Sequence, residues 1–561
     1  MGIAETSAHW LQNYNPLGNL WLSGFVALLP IILFFLCLIA FKMKGWLAAL
    51  LTVILSIIIA LVMYKMPFGM VIMSFIKGFL YGIWPIAWII IAAIFLFKLS
   101  DKTGYFKILQ DSVMTITPDH RIQVILVAFC LGAFLEGAIG FGAPVAIAAA
   151  LLVGLGLRPL YAASLCLVGN TIPVAFGAVG IPIVAMAGLV DMPASGISAM
   201  VGRMLPPFII LLPFVMIFLM DRWKGIKETW PALLVAGISF AILQYLTTNY
   251  IGPELGDIIP SVISLVLTAV FMRFWKPKRI FRTDGKELDP NFKPERHPAG
   301  KVVLAWIPFV LLIIAVVIWS TPWFKDLFKA GGALALTNIS WHMPFITGTI
   351  FSAAPITATP KVIATTYTWD IIHATGTALL IAGIISIFVL RAKPAVVGAA
   401  IADTFKEMWI PIITIGLVVS FAFITQYSGA GDTMGLALAQ TGHVYTFFAP
   451  IVGWIGVFLT GSDTSSNLLF GTLQQATAIG LHVPEVFYLA LNSFGGIVGK
   501  MISPQSIAVA CAAVGIVGQE SALFRKVVIH SVWLVVLMSI WAVVVYYVFP
   551  SMIVNIAHYV S

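Results

Sequence analysis

The chain reads as an all-α polytopic membrane protein, with about twelve transmembrane helices plus two re-entrant hairpins, arranged as two inverted-topology repeats. Three observations lead there. Hydrophobic residues make up 61% of the 561 residues, charged residues 9%, and the mean hydropathy is +1.04, where soluble domains carry near a quarter charged residues. Apolar runs long enough to cross a bilayer recur along the whole length. A set of sequence markers also recurs at a nearly constant offset.

A crossing helix needs about 20 apolar residues, and the runs that qualify are 20–41, 45–64, 75–98, 161–187, 203–220, 231–250, 258–275, 302–320, 371–390, 408–426, 486–515 and 527–549. Two further stretches, 122–157 and 444–480, are too long for one crossing and have polar, Gly-rich centres. Each is expected to enter and leave on the same side. The start of the chain lacks a basic n-region and a cleavage site, so no signal peptide is expected.

Basic residues orient the spans. With both termini outside, 24 of the 31 Lys and Arg fall on cytoplasmic segments or adjacent span ends, six fall outside, and Lys500 lies at membrane depth. The first hairpin then opens inward and the second outward. The segment 273–301, with nine basic and four acidic residues and Pro277, Pro290, Pro294 and Pro298, is a cytoplasmic linker. It divides an N-terminal half, 1–272, containing hairpin 122–157, from a C-terminal half, 302–561, containing hairpin 444–480. The net charge of +9 is thus a record of topology. It does not describe a nucleic-acid-binding face, which would gather Lys and Arg on one folded surface.

GAFLEG (132–137) resembles GVFLTG (456–461). Asn170-Thr171 with Pro182 twelve residues on resembles Asn492-Ser493 with Pro504 twelve residues on, and Pro159 corresponds to Pro484. The counterpart of 45–64, 371–390, is the seventh crossing after it, an odd step, so the second half is inverted. Inverted repeats with discontinuous helices near the midplane are a common architecture of secondary transporters.

The candidate site follows from polar groups stranded in apolar surroundings. In GAFLEGAIGFGAP (132–144) the glycines and Pro144 break a helix, and Glu136 sits in the break. An ionisable group at that depth is costly and suggests function, although a carboxylate that merely ties down the turn is the structural alternative. The second tip, TGSDTSSN (460–467), offers Ser462, Asp463, Thr464, Ser465, Ser466 and Asn467. Its hydroxyls and amides suit the oxygens of an anion, and Asp463 is with Glu136 a candidate for proton coupling. GNTIPVAFGAVGIP (169–182) and LNSFGGIVGKMISPQS (491–506) read as helices opened by Gly and Pro, contributing Asn170, Thr171, Asn492, Ser493 and Lys500 to substrate binding. Lys500 could meet the substrate or Asp463, or instead form an inter-helix ion pair or be a snorkelling Lys near an interface; Asn170 and Asn492 could instead be caps of the breaks. Arg203 reads as an anchor at a span end. Cys37, Cys130, Cys166 and Cys511 lie in apolar runs without metal-ligand spacing, and His373 and His530 lack partners for a haem. No metal and no cofactor beyond a co-transported proton is expected, and no catalytic constellation is visible.

At these same motifs the sequence resembles the bacterial L-lactate permease family, which includes the glycolate permeases. The resemblance runs through YGIWPIAWIIIAA (81–93), GAFLEGAIGFGAPVAI (132–147), NTIPVAFGAVGIPI (170–183), GIKETWPALLVAG (225–237), NYIGPEL (249–255), GWIGVFLTGSDTSSNLLFG (453–471) and GKMISPQSIAVACAAVG (499–515). It implies a symporter of the bacterial cytoplasmic membrane that imports L-lactate, D-lactate or glycolate with a proton, and kinship with the ion-transporter superfamily, in which hairpins and broken helices move against a scaffold. Sodium-coupled anion transport on the same fold is the alternative. The expected partners are a small 2-hydroxymonocarboxylate and the lipid bilayer, with no nucleic acid; homo-oligomerisation is left open.

Overall fold

In a computed structural model the described residues are 9–140, 142–283, 297–329 and 331–559. The middle of the linker, 284–296, and both chain ends lie outside them. Among the described residues the apolar runs are helical, as apolar runs in lipid require, because only a helix satisfies every backbone amide within its own segment. Among the described residues nine helices are long and apolar enough to cross a membrane, or eleven if two bent pairs each count as one span. That count includes the first arms of both hairpins, His120–Ala138 and Gly442–Thr460. It omits half-helices too short to qualify, such as Ala143–Gly154 and Pro159–Gly169.

Several elements depart from the sequence expectation. The run expected at 75–98 begins at Phe68 and continues, bent, to Lys102. The runs 203–220 and 231–250 belong to one helical stretch, Pro206–Tyr250, broken only at Asp221 and Arg222, where the backbone leaves helical angles. Helices Tyr105–Met114, Ala194–Met204 and Ala430–Ala439 are additional. They are short, and carry too many polar or small residues to register as spans.

Burial separates centre from periphery. The apolar window of His120–Ala138 is 100% buried and that of Ile172–Val190 89%, against 33% for Ala299–Ser320 and 39% for Leu20–Leu38. The hairpin and the broken helix therefore form the core, while the outer helices turn Leu22, Phe25, Val310 and Ile314 outward. Small residues set the helix spacing: a Cβ on Gly78 would run into the backbone of Ser420, so Phe68–Tyr81 and Pro394–Ser428 cross at backbone distance.

One end carries the small amount of sheet present. Trp10–Leu11 pairs in parallel with Ile350–Ser352, which also pairs with Lys361–Val362. Asn338–Trp341 and Tyr367–Asp370 make a separate antiparallel ribbon. The loop 321–370 is thus a structured cap, and its Ala364 carbonyl accepts a hydrogen bond from buried Lys77 at 3.3 Å.

Candidate functional site

Each hairpin is a helix–turn–helix whose turn is set by glycine in the left-handed region. In the first, His120–Ala138 gives way to Ala143–Gly154 through Gly140 and Gly142, at φ 65° and 82°. In the second, Gly461 at φ 72° joins Tyr445–Thr460 to Asp463–Gly480. Ser462 caps the latter helix, its Oγ accepting the Ser465 N–H at 3.2 Å, and this is the usual work of Ser before a first turn.

The two breaks differ in construction. Pro159–Gly169 ends at Asn170, a short 3₁₀ turn covers Ile172–Phe176, and Ala178, Val179 and Gly180 then follow in left-handed conformation before the helix resumes toward Val190. A branched residue such as Val179 rarely adopts φ 60°, and such strained backbone gathers at functional sites. In the second break Glu485–Gly499 continues as a 3₁₀ turn over Lys500–Ile502, bends by 44°, and restarts at Pro504, with Ser503 Oγ capping the Ser506 N–H.

Both tips and both breaks converge. One cavity of about 60 Å³ is lined by Glu136, Gly140 and Gly142 from the first hairpin, Gly177, Ala178 and Pro182 from the first break, Gly461, Ser462, Asp463 and Thr464 from the second tip, and Lys500, Gln505 and Ser506 from the second break. Gly142, the cap residue of Ala143–Gly154, and the first turns of Asp463–Gly480 and Pro504–Ala513 border it. The positive ends of their helix dipoles make the cavity attractive to an anion. A larger hollow of about 750 Å³, bordered by Glu485, Tyr546 and Asn555, is lined by none of these groups.

Lys500 is the single cation on the cavity wall among the described residues, and it is ion-paired with Glu136 through Nζ and Oε1. It does not pair with Asp463. Both partners are buried, at 6% and 2% exposure, so each neutralises a charge the other could not carry alone. Asn170 Nδ2 donates to the second Glu136 oxygen at 3.1 Å and thereby orients the carboxylate.

Asp463 is held differently. Its Oδ2 accepts from Ser493 Oγ at 2.8 Å and from Asn467 Nδ2 at 3.3 Å, while Oδ1 has no hydrogen-bond partner. Asn467 also donates to the Pro182 carbonyl at 3.0 Å, one of the groups the first break leaves open, and its Oδ1 accepts from Asn492 at 2.9 Å. Asn492 in turn accepts from Gln474 at 3.1 Å.

Of the residues singled out from sequence, Glu136, Ser462, Asp463, Thr464 and Lys500 line the cavity. Asn170, Asn467, Asn492 and Ser493 stand behind it as a hydrogen-bonded shell. Thr171 bonds its own helix at Val168 O and borders a different small cavity beside Phe208. Ser465 serves through its backbone N–H, and Ser466 Oγ turns away to Gly453 O. Arg203 ties Asn249 to Met552 O. Gln505 and Ser506, not among the residues expected from sequence, also line the cavity; a polar pair directly after the helix-breaking Pro504 is the sequence signal for them. Among the described residues no cluster of His, Cys, Asp or Glu could hold a metal ion.

A buried, anion-attracting cavity built from broken helices inside an apolar bundle belongs to a membrane carrier. The L-lactate permease family model matches residues 23–549, and the chain belongs to that family. It is 52% identical over 525 residues to the L-lactate permease of Salmonella typhi, covering 93% of this chain and 95% of that one. It is 48% identical over 557 residues to the glycolate permease GlcA of Escherichia coli strain K12, covering 97% and 100%. A solved structure, the Alcanivorax borkumensis YdaH transporter, aligns over 85% of this chain and 88% of that one at 14% identity and a TM-score of 0.46. The protein is therefore a multi-pass membrane permease for a small molecule and not an enzyme.

Proposed function

We propose that the protein imports L-lactate, D-lactate or glycolate across the bacterial cytoplasmic membrane in symport with a proton, both termini lying outside and the two halves being inverted repeats around one site. The observation that carries the reading is the Lys500–Glu136 pair on the wall of the shared cavity. A 2-hydroxymonocarboxylate is an anion at neutral pH, and Lys500 is the cation positioned to receive it. While Glu136 is ionised, it occupies Lys500 and repels the substrate. A proton on Glu136 removes that charge and frees the ammonium for the substrate carboxylate. Thr464, Ser462 and Gln505 remain to bond the 2-hydroxyl. Proton and anion then enter together, and the loaded site carries no more net charge than the empty one. Lone anion uptake against a negative-inside potential would cost about 2.3 kcal/mol per 100 mV. The relatives named L-lactate permease and glycolate permease support the substrate class, and the small cavity suits a compact anion.

The sodium-coupled alternative has one observation in its favour: Asp463 keeps an unpartnered Oδ1 and lines the cavity together with Ser462 and Thr464, and oxygen ligands are what sodium uses. Purified protein in proteoliposomes, given labelled lactate or glycolate and either a proton or a sodium gradient, separates the two. Accumulation driven by inward protons without sodium is expected. Strict sodium dependence would overturn the proton reading, and failure to move either acid would overturn the substrate class.

A further inference from the structure

The turn between Pro206–Tyr250 and Ile258–Phe274 packs into the core. A Cβ on Gly137 would come within 2.9 Å of Asp257 Cβ, and one on Gly256 would meet the Phe176 ring. Asp257 therefore lies directly behind the turn of hairpin helix that carries Glu136, and it is fully buried.

Its hydrogen bonding is incomplete in a specific way. Oδ1 accepts from Gln244 Nε2 at 2.7 Å, while Oδ2 has no partner. Gln244 is fully buried too, and its Oε1 is likewise without a partner. Two side chains already joined by one hydrogen bond thus each retain a bare acceptor oxygen, and burying such atoms unmatched is costly. Among the described residues no cation is ion-paired with Asp257. The charged groups facing it are Glu136 from the first hairpin and Lys500 from the second break, and these two are committed to each other. Glu254 shares its own turn.

We propose that Asp257 and Gln244 form a second proton-binding site, on which the proton coupling of the transport cycle depends. A proton arriving from water adds to a lone pair of Oδ2 and forms an O–H bond. One negative charge is neutralised, and the new O–H donates to Gln244 Oε1 while Nε2 continues to donate to Oδ1. One proton satisfies both orphan oxygens as an acid–amide pair. Its release returns a negative charge next to Glu136, so the occupancy of this site bears on whether Glu136 holds Lys500.

This proposal rests on the proton-symport reading, and the test keeps the two apart. In proteoliposomes Asp257→Asn preserves shape and leaves an amide that can donate to Gln244, a permanent mimic of the protonated acid. It is expected to retain lactate counterflow, which needs no net proton movement, and to lose accumulation driven by an inward proton gradient. Accumulation equal to wild type would overturn the proposal and make Asp257 a permanently neutral structural acid. Wild-type protein that exchanges lactate without proton-driven accumulation would instead overturn the coupling reading itself. Should Asp257→Asn fail to insert, Gln244→Leu gives a second measure: the pH midpoint of accumulation is expected to move, and an unmoved midpoint overturns the proposal.

Discussion

Lys500 and Glu136 neutralise each other in surroundings that neither could enter alone. Removing one partner of such a pair costs about 3–5 kcal/mol, while replacing both with apolar groups costs much less. Lys500→Met and Glu136→Leu are therefore each expected to lower the melting temperature of the purified protein, and the Lys500→Met/Glu136→Leu double variant to recover most of it without recovering uptake. Additive losses in that cycle would mean the pair is not coupled. Glu136→Gln is expected to keep counterflow and lose proton-driven accumulation, whereas Lys500→Met loses both; measured side by side, equal behaviour would contradict this division of labour between carboxylate and ammonium. Glu136, Asp463 and Lys500 were legible in the sequence because a charge inside an apolar run is conspicuous. Asp257 and Gln244 were not. Gln244 sits in the middle of a span without a charge to mark it, and Asp257 belongs to a Gly- and Pro-containing turn, IGPELGD (251–257). Nothing in such a turn says that it folds inward.

Among the elements, the broken helix at 177–190 is the most exacting. Gly180 has φ 73°, and a Cβ there would run into the Pro253 carbonyl group. Left-handed backbone alone costs an ordinary residue about 1–2 kcal/mol, and the collision adds to it. Gly180→Ala is expected to destabilise the protein by at least about 1–2 kcal/mol and to abolish counterflow; a variant with wild-type melting and exchange would show that the break can relax. The breaks themselves could be read from Asn, Gly and Pro in the sequence, but not their conformations, because left-handed residues such as Ala178 and Val179 are imposed by packing against local preference. The short helix Tyr105–Met114 was missed for the opposite reason: its single apolar stripe is too brief to stand out. Its Asp111 is partly desolvated, yet hydrogen bonds from His297 (3.0 Å) and Lys107 (2.6 Å) outweigh that and hold its carboxyl below the ordinary range. Because the folded value is the lower one, the stabilisation is present at neutral pH and is lost as pH falls through the folded value. Melting of the wild type is expected to fall more steeply than that of Asp111→Asn as pH is lowered below about 4, the unperturbed carboxylate value; parallel curves would show the contact to be energetically silent.

Across the whole molecule, the helical membrane class and the position of the site followed from where charge is absent and where it is not. The ties between distant segments did not, because pairing partners far apart in sequence leave no local trace. Arg121, fully buried at the foot of the first hairpin, ion-pairs with Asp119 (2.8 Å), Asp221 (2.9 Å) and Glu228 (2.7 Å), and Arg279 joins the last two. This cluster fastens the hairpin to the break at Asp221 and Arg222 and to the start of the linker. Arg121→Ala leaves three carboxylates short of a cation and is expected to cost about 3 kcal/mol or more, read as lower melting or poor insertion; an unchanged melt would show that Arg279 alone suffices.

The strand Trp10–Leu11 meets Ile350–Ser352 more than three hundred residues further along the chain. During synthesis the first strand leaves the ribosome long before its partner exists, and most of the helices must be inserted in between. The cap therefore closes late, and a chain interrupted before residue 350 would keep that strand waiting with its edge unpaired, a natural handle for quality control to tell a half-made molecule from a finished one.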